Sequence, residues 1–240
     1  MKNVLITGAT RGLGLAIVER LAQGGLYRLI CVGRRPTPEF EALLAAHPQM
    51  IHFKPYDLDD LDGIPAFVTG ITREMGALYG IINNAGIGLD GLLATQHQTE
   101  ISKVLRVNLE APILMTKYAC RSMLTKREGR VINVSSIIAS TGFNGLAVYA
   151  ASKAGLEGFT RSLSRELGRA KITVNCIAPG YMETDMTAGL QGDKLNSVRR
   201  RAPLGLPRPE DVAGAAAYLL SDEAAMMTGA IMTIDGGSTA

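Results

Sequence analysis

Three side chains able to hold or pass a proton recur within one stretch of this 240-residue chain: Ser136, Tyr149 and Lys153, in SIIASTGFNGLAVYAASK. Tyr149 and Lys153 stand four apart in a segment (VYAASKAGLEGFTRSLSREL) whose Ala, Leu, Ser and Arg content favours helix, so the spacing predicts both side chains on one face. A phenol beside an ammonium shares its field, and positive charge nearby favours the phenolate. An ordinary surface pair has the same spacing, so the pair acquires chemical meaning only from the rest of the chain.

The elements that would position these groups begin at residue 2. Lys2 to Thr7 (KNVLIT) is a short apolar run of the kind that forms a parallel strand buried on both faces. It runs into a glycine-rich turn, TGATRGLG at 7–14, and then into the helical pattern LAIVERLAQ. Gly8 permits a tight turn, while Gly12 and Gly14 let the backbone approach a pyrophosphate and the helix sit close to the sheet. The free amides at the helix start then face the phosphates. Gly8, Thr10, Arg11, Gly12, Leu13 and Gly14 are therefore candidate dinucleotide ligands, although the spacing differs from G-x-G-x-x-G.

The second strand, YRLICVG, ends in Arg34 and Arg35, where many NAD-binding units carry an acidic residue for the ribose. Arg34, with Arg11, is suited to charge-assisted bonds with a 2′-phosphate, which predicts NADP(H) over NAD(H). The other reading is a solvated arginine pair before Pro36. A third strand over 50–56 leads to Asp57-Leu58, where Asp57 either accepts from an adenine amino group or caps the next helix. The fourth, ALYGIIN, ends in Asn83-Asn84-Ala85-Gly86; in a doubly wound sheet the ligand crevice lies past the carboxyl ends of strands one and four, which puts Asn84, Ala85 and Gly86 along it.

Asn108 interrupts the apolar helical stretch at 104–127, and asparagine is poorly suited to a helix interior. Either its amide or a displaced carbonyl has another use, or it is a satisfied buried amide. GRVINVSS forms a fifth strand ending at Ser135-Ser136, KITVNCIAPG a sixth ending at Pro179-Gly180 with Thr184 beyond it, and GAIMTI a seventh. The stretch at about 183–206 is mixed in polarity and is expected to cover the crevice.

Composition agrees with a single α/β domain over 1–240: 47% hydrophobic residues, 27 glycines and few aromatics. A formal charge of +3 with no concentrated basic stripe argues against nucleic acid. The densest run, RRR at 199–201, reads as a solvated helix face, with attraction of an anionic substrate carrier as the alternative. No apolar run reaches membrane length and MKNVLITGAT has no signal-peptide pattern, so a cytoplasmic protein is expected. Cys31, Cys120 and Cys176 are widely spaced and read as reduced, packed thiols; His47, His52 and His97 form no ligand-spaced set, so no metal is expected.

Taken together, the glycine turn, Asn83-Asn84-Ala85-Gly86, Asn108, Ser136, Tyr149/Lys153 and Pro179-Gly180 with Thr184 resemble the short-chain dehydrogenase/reductase family in order and spacing along the whole chain. Within it, YAASKAGLEGF, ITVNCIAPGYMETDMT and the terminal DGG are most similar to 3-oxoacyl-[acyl-carrier-protein] reductases, though relatives acting on sugars, steroids and small ketones share this wording. The resemblance implies a seven-stranded parallel Rossmann-type sheet in the order 3-2-1-4-5-6-7 with helices on both faces. It assigns the proton to Tyr149, pKa lowering and the nicotinamide ribose to Lys153, the substrate oxygen to Ser136, and a water linking Lys153 to solvent to Asn108. Pro179, Gly180 and Thr184 would border the nicotinamide. It further implies a homotetramer built through helices around 101–126 and 151–169, and places Arg127, Arg169 and Lys171 near where such reductases meet an acidic carrier protein. A nucleotide-sensing protein without catalysis is the remaining class, and the intact proton-transfer set weighs against it.

Overall fold

Alternation along the first strand sends Val4 and Ile6 to one side of the sheet and Leu5 to the other, and all three are fully buried. The second strand repeats this with Leu29 and Cys31 against Ile30 and Val32. Strands apolar on both faces must be covered twice, and the helices between them provide the cover. The structure, a computed structural model, describes residues 1–183 and 192–240.

In chain order the elements are β1 (Lys2–Thr7), α1 (Gly12–Gly24), β2 (Tyr27–Gly33), α2 (Pro38–Ala46), β3 (Ile51–Pro55), α3 (Ile64–Met75) and β4 (Leu78–Asn83). There follow α4 (Gln98–Leu105), a π-helical turn (Arg106–Glu110), α5 (Ala111–Lys126), β5 (Gly129–Val134), the short α6 (Ile138–Thr141), α7 (Ala147–Leu167), β6 (Ile172–Pro179), α8 (Gly192–Arg201), α9 (Pro209–Leu220) and β7 (Ile231–Ile234). All seven strands form one parallel sheet in the order β3-β2-β1-β4-β5-β6-β7, as expected. On one face Ile17 and Leu21 of α1, Phe40 of α2, and Val212, Ala216 and Leu219 of α9 close the core; on the other, Ile64 and Val68 of α3, Met115 and Ala119 of α5, and Leu167 of α7 do so. Each fully buried Val, Leu, Ile, Met or Phe side chain among them contributes roughly 1.5–3 kcal/mol.

Several element boundaries differ from the sequence reading. The third strand is shorter at both ends, and β5 stops at Val134, although Ser135 N still donates to Ile177 O at 2.7 Å and Ile137 N to Pro179 O at 3.0 Å. The helical stretch around Asn108 is two helices joined by the π-turn. Of the stretch at 183–206, Glu183 and residues 192–206 are described; the RRR run is exposed in the last turn of α8, where Arg199 pairs with Glu183.

Among the described residues no helix is long and apolar enough to cross a membrane, and no three potential metal ligands lie together. All three cysteines are free and buried. Parallel strands align their carboxyl ends, so Thr7, Gly33, Asn83, Val134 and Pro179 come to one edge of the sheet. Sequence order reverses there between β1 and β4, which opens a crevice for a ligand.

Candidate active site

Two adjacent serines end the ladder of β5, and the structure gives them separate tasks. The Ser136 hydroxyl accepts from Ile138 N at 3.2 Å and lies near enough to the Tyr149 phenol to act on it. Ser135 is turned into the protein and donates to the Lys153 carbonyl and to Glu157 Oε1. Tyr149 lies in the first turn of α7, with Lys153 one turn further on. Burial pushes the Tyr149 phenol above its ordinary value, and the neighbouring Ser136 hydroxyl acts in the opposite sense.

Lys153 is 3% exposed, and desolvation lowers its pKa to about 8. Its Nζ donates to Val134 O at 2.8 Å and lies 5.7 Å from the centre of the Tyr149 ring. Its ammonium is thus held by the strand end, with the Tyr149 ring one helical turn away. A buried ammonium needs a close acceptor, and a main-chain carbonyl supplies one where the phenol ring does not.

The π-turn explains Asn108. Its Oδ1 accepts from Ile87 N at 2.8 Å, and its Nδ2 donates to Ile87 O at 2.9 Å and to Ser152 Oγ at 3.3 Å. Ser152 donates in turn to Tyr149 O at 2.7 Å. The amide thus joins the loop after β4 to the turn of α7 that carries Tyr149. Between Asn108 and Lys153 lies Gly86, where an added Cβ would come within 3.4 Å of both Asn108 Oδ1 and Lys153 Nζ.

The glycine turn packs at its limits. Gly8 and Gly12 have φ of +65° and +53°, the left-handed region that favours glycine. A Cβ on Gly14 would sit 1.9 Å from Gly8 O, so only glycine lets α1 approach the turn this closely. Asn84 secures the arrangement from β4: Nδ2 donates to Thr7 O and Gly8 O at 3.0 and 3.2 Å, while Thr7 Oγ1 accepts from Asn84 N and Ala85 N, both at 3.1 Å. Around Gly12 nothing lies within 4 Å of an added Cβ, and the N-cap residue, Arg11, makes no capping bond to the first amides of α1. Open backbone and uncapped amides at a helix start fit a dinucleotide pyrophosphate.

Gly33 packs on Thr10, whose carbonyl accepts from Thr37 Oγ1 at 2.9 Å, and Ala9 N donates to Val32 O at 3.1 Å. These contacts hold the turn against the end of β2, so Arg11 and Arg34 extend from neighbouring segments. Both are exposed, and neither side chain makes a hydrogen bond or ion pair among the described residues. Asp57 Oδ1 accepts from Asp59 N at 3.1 Å, and Leu58 buries its side chain in the core. Gly180 packs on the C-terminal segment, where an added Cβ would lie 2.7 Å from Asp235 Cα; Pro179 O is taken by Ile137 N, and Thr184 lies outside the described residues. The sequence reading missed Thr7, Ser152, Ser135 and Glu157 as supports. The available signal was hydroxyl and carboxylate side chains at positions of strand and helix that otherwise face the core.

A family model described as enoyl-(acyl carrier protein) reductase matches residues 8–239. With this fold and this set of side chains, the chain belongs to the short-chain dehydrogenase/reductase family, oxidoreductases that use a nicotinamide cofactor. It is similar to the 3-oxoacyl-[acyl-carrier-protein] reductase FabG of Vibrio cholerae serotype O1, at 38% identity over 239 residues, and to that of Escherichia coli K12, at 37% over 238. The FabG of Chlamydia trachomatis serovar D is 36% identical over 239 residues. Each of these three matches covers 98% of this chain and 96% of the relative.

Proposed function

We propose that this protein reduces the ketone of a 3-oxoacyl thioester to the 3-hydroxyacyl form with NADPH. The observation that carries the reaction is the Ser136–Tyr149 hydroxyl pair one helical turn from the buried Lys153, beside the Gly86 loop and the glycine turn. The similarity to FabG proteins supports the thioester. The guanidinium groups of Arg11 and Arg34, unpaired among the described residues, support NADPH, because a 2′-phosphate needs positive charge beside the turn and the end of β2.

The bound cofactor supplies the hydride to the carbonyl carbon. Ser136 donates to the carbonyl oxygen and fixes it, and Tyr149 gives its proton to that oxygen as negative charge develops there. Lys153 holds the nicotinamide ribose and supplies positive charge beside the phenol. The Asn108 amide is committed to Ile87 and Ser152, and Asn108 would hold the water that replenishes the proton through Lys153. Gly8, Thr10, Gly12, Leu13 and Gly14 receive the pyrophosphate, Asp57 and Leu58 the adenine end, Asn84, Ala85 and Gly86 the middle, and Pro179, Gly180 and Thr184 the nicotinamide. The stretch at 183–206 serves as the cover.

Arg127 Nη2 donates to Arg169 O at 2.8 Å, so Arg127, Arg169 and Lys171 form one basic corner where α5 and α7 end. We assign this corner to an acidic carrier protein, in a cytoplasmic homotetramer. The test is NADPH oxidation with acetoacetyl thioester, crotonyl thioester and a panel of sugar, steroid and cyclic ketones. Turnover of the acetoacetyl thioester supports the reading. Reduction of the crotonyl double bond alone, or of panel ketones with no thioester turned over, sinks it.

A further inference from the structure

Below the reacting groups lies a second polar cluster to which the mechanism gives no task. Ser135 Oγ lies 3.0 Å from Glu157 Oε1 and 3.2 Å from the Lys153 carbonyl. Ser135 is 3% exposed, and the Glu157 side chain is 13% exposed. Glu157 follows Lys153 by four residues on α7, and its other carboxylate oxygen is 3.8 Å from the exposed Arg161 guanidinium. The Cys176 thiol of β6 faces the same cluster; burial pushes it up to about 12, so it stays neutral beside the lysine.

A mostly buried carboxylate is costly unless it is bonded, and Ser135 is its donor within the protein interior. This bond joins two elements. Ser135 directly precedes Ser136 at the carboxyl end of β5, while Glu157 is on the helix that carries Tyr149 and Lys153. β5 and α7 have separate paths through the fold, so the distance between the Ser136 and Tyr149 hydroxyls depends on how those two elements are tied near the site. The ladder holds β5 to β6 through Ser135 N and Ile177 O; toward α7 the strand is tied by Asn133 to Thr160, by Lys153 Nζ to Val134 O and, directly before Ser136, by the Ser135 side chain to Glu157.

We infer that Glu157 is a positioning residue for the reaction, fixing the Ser136–Tyr149 pair by accepting the Ser135 hydroxyl. This rests on the roles proposed above for Ser136 and Tyr149. It acts through geometry, because Glu157 touches neither substrate nor cofactor; a group misplaced by a fraction of an ångström loses rate while ground-state binding of the cofactor is retained.

The test measures kcat, both KM values and thermal midpoints for Glu157→Ala, Glu157→Gln, Ser135→Ala and the Ser135→Ala/Glu157→Ala double variant, with any ketone the wild type reduces. Glu157→Ala is expected to lower kcat about tenfold or more with the KM for NADPH within about twofold. Glu157→Gln, which keeps an acceptor oxygen and removes the charge, restores kcat to within about threefold of wild type, and the double variant is no worse than Ser135→Ala. An unchanged kcat in Glu157→Ala, a Gln variant no better than Ala, or additive losses in the double variant would overturn the inference. Should Glu157→Ala fail to fold, the Gln variant and Ser135→Ala still decide it: a loss with Gln as large as with Ser135→Ala rejects it. Tyr149→Phe run alongside separates this from the proposed function, since a Phe variant with full activity removes the Ser136–Tyr149 mechanism itself.

Discussion

Lys153 gives its ammonium to the Val134 carbonyl at 2.8 Å and stands 5.7 Å from the centre of the Tyr149 ring. The lysine is thus held by the strand end that leads into Ser135 and Ser136. Ligand ribose hydroxyls that compete for Nζ would draw it from this carbonyl toward the reacting groups.

Burial lowers Lys153 from 10.5 to about 8, which gives two expected pH effects. Ketone reduction falls as pH rises through about 8, because the lysine then loses the charge that supports Tyr149. For stability, the unfolded chain holds this proton in the window between the two values, so stability attributable to Lys153 rises from about pH 8 to 10.5 and its full cost is present below 8. Lys153→Met should therefore be inactive yet at least as stable as wild type at pH 7, and lose that margin by pH 10.5. A flat rate profile across pH 8, or a Met variant clearly less stable at neutral pH, contradicts this.

Arg34→Asp exchanges an unpaired exposed cation for an anion at the end of β2. A charge-assisted bond to phosphate is worth roughly 1.5–3 kcal/mol, so the ratio of kcat/KM for NADPH over NADH should drop about tenfold or more. Comparison of the two cofactors at fixed ionic strength measures it, and an unchanged ratio refutes the phosphate assignment.

Gly14→Ala would place a methyl 1.9 Å from Gly8 O and 2.7 Å from Asn84 Nδ2, which α1 relieves only by moving off the turn. Lower NADPH affinity and a lower thermal midpoint are expected together. Gly24→Ala at the far end of the same helix meets nothing within 4 Å and should be neutral or stabilise by about 0.4–1 kcal/mol. Calorimetry and cofactor titration of both variants give the contrast; equal behaviour of the two would remove the packing argument.

At the opposite edge of the sheet, Tyr27 and Tyr79 stack and both hydroxyls donate to Leu220 O, at 3.1 and 2.8 Å, at the end of α9. Tyr79→Phe leaves that carbonyl with the Tyr27 bond and keeps the ring contact. A loss of about 1 kcal/mol in denaturant unfolding with unaltered kinetics is expected. A change in kcat would mean that this edge is coupled to the site.

Much of the fold was legible because its signals are local. The apolar run before Gly8, the positive-φ glycines and the four-residue step from Tyr149 to Lys153 are each set by sterics among chain neighbours, so they can be read in order. The candidate cofactor turn was reached in this way, whereas the sheet order came from the family resemblance. Element boundaries were less legible. The helical pattern around Asn108 hid the π-turn, because one extra residue in a turn barely alters apolar spacing.

The chain by itself determined which groups are available: a serine, a phenol and an ammonium near one strand end, a glycine turn, and two arginines beside it. Only the tertiary structure decided whom each group faces. It turned Ser136 to Tyr149 and Ser135 to Glu157, committed the Asn108 amide to Ile87, and gave Lys153 to Val134. The physical reason is that backbone conformation follows from neighbouring residues, whereas a buried donor's acceptor is chosen by which distant elements pack beside it and by the cost of leaving it unpaired.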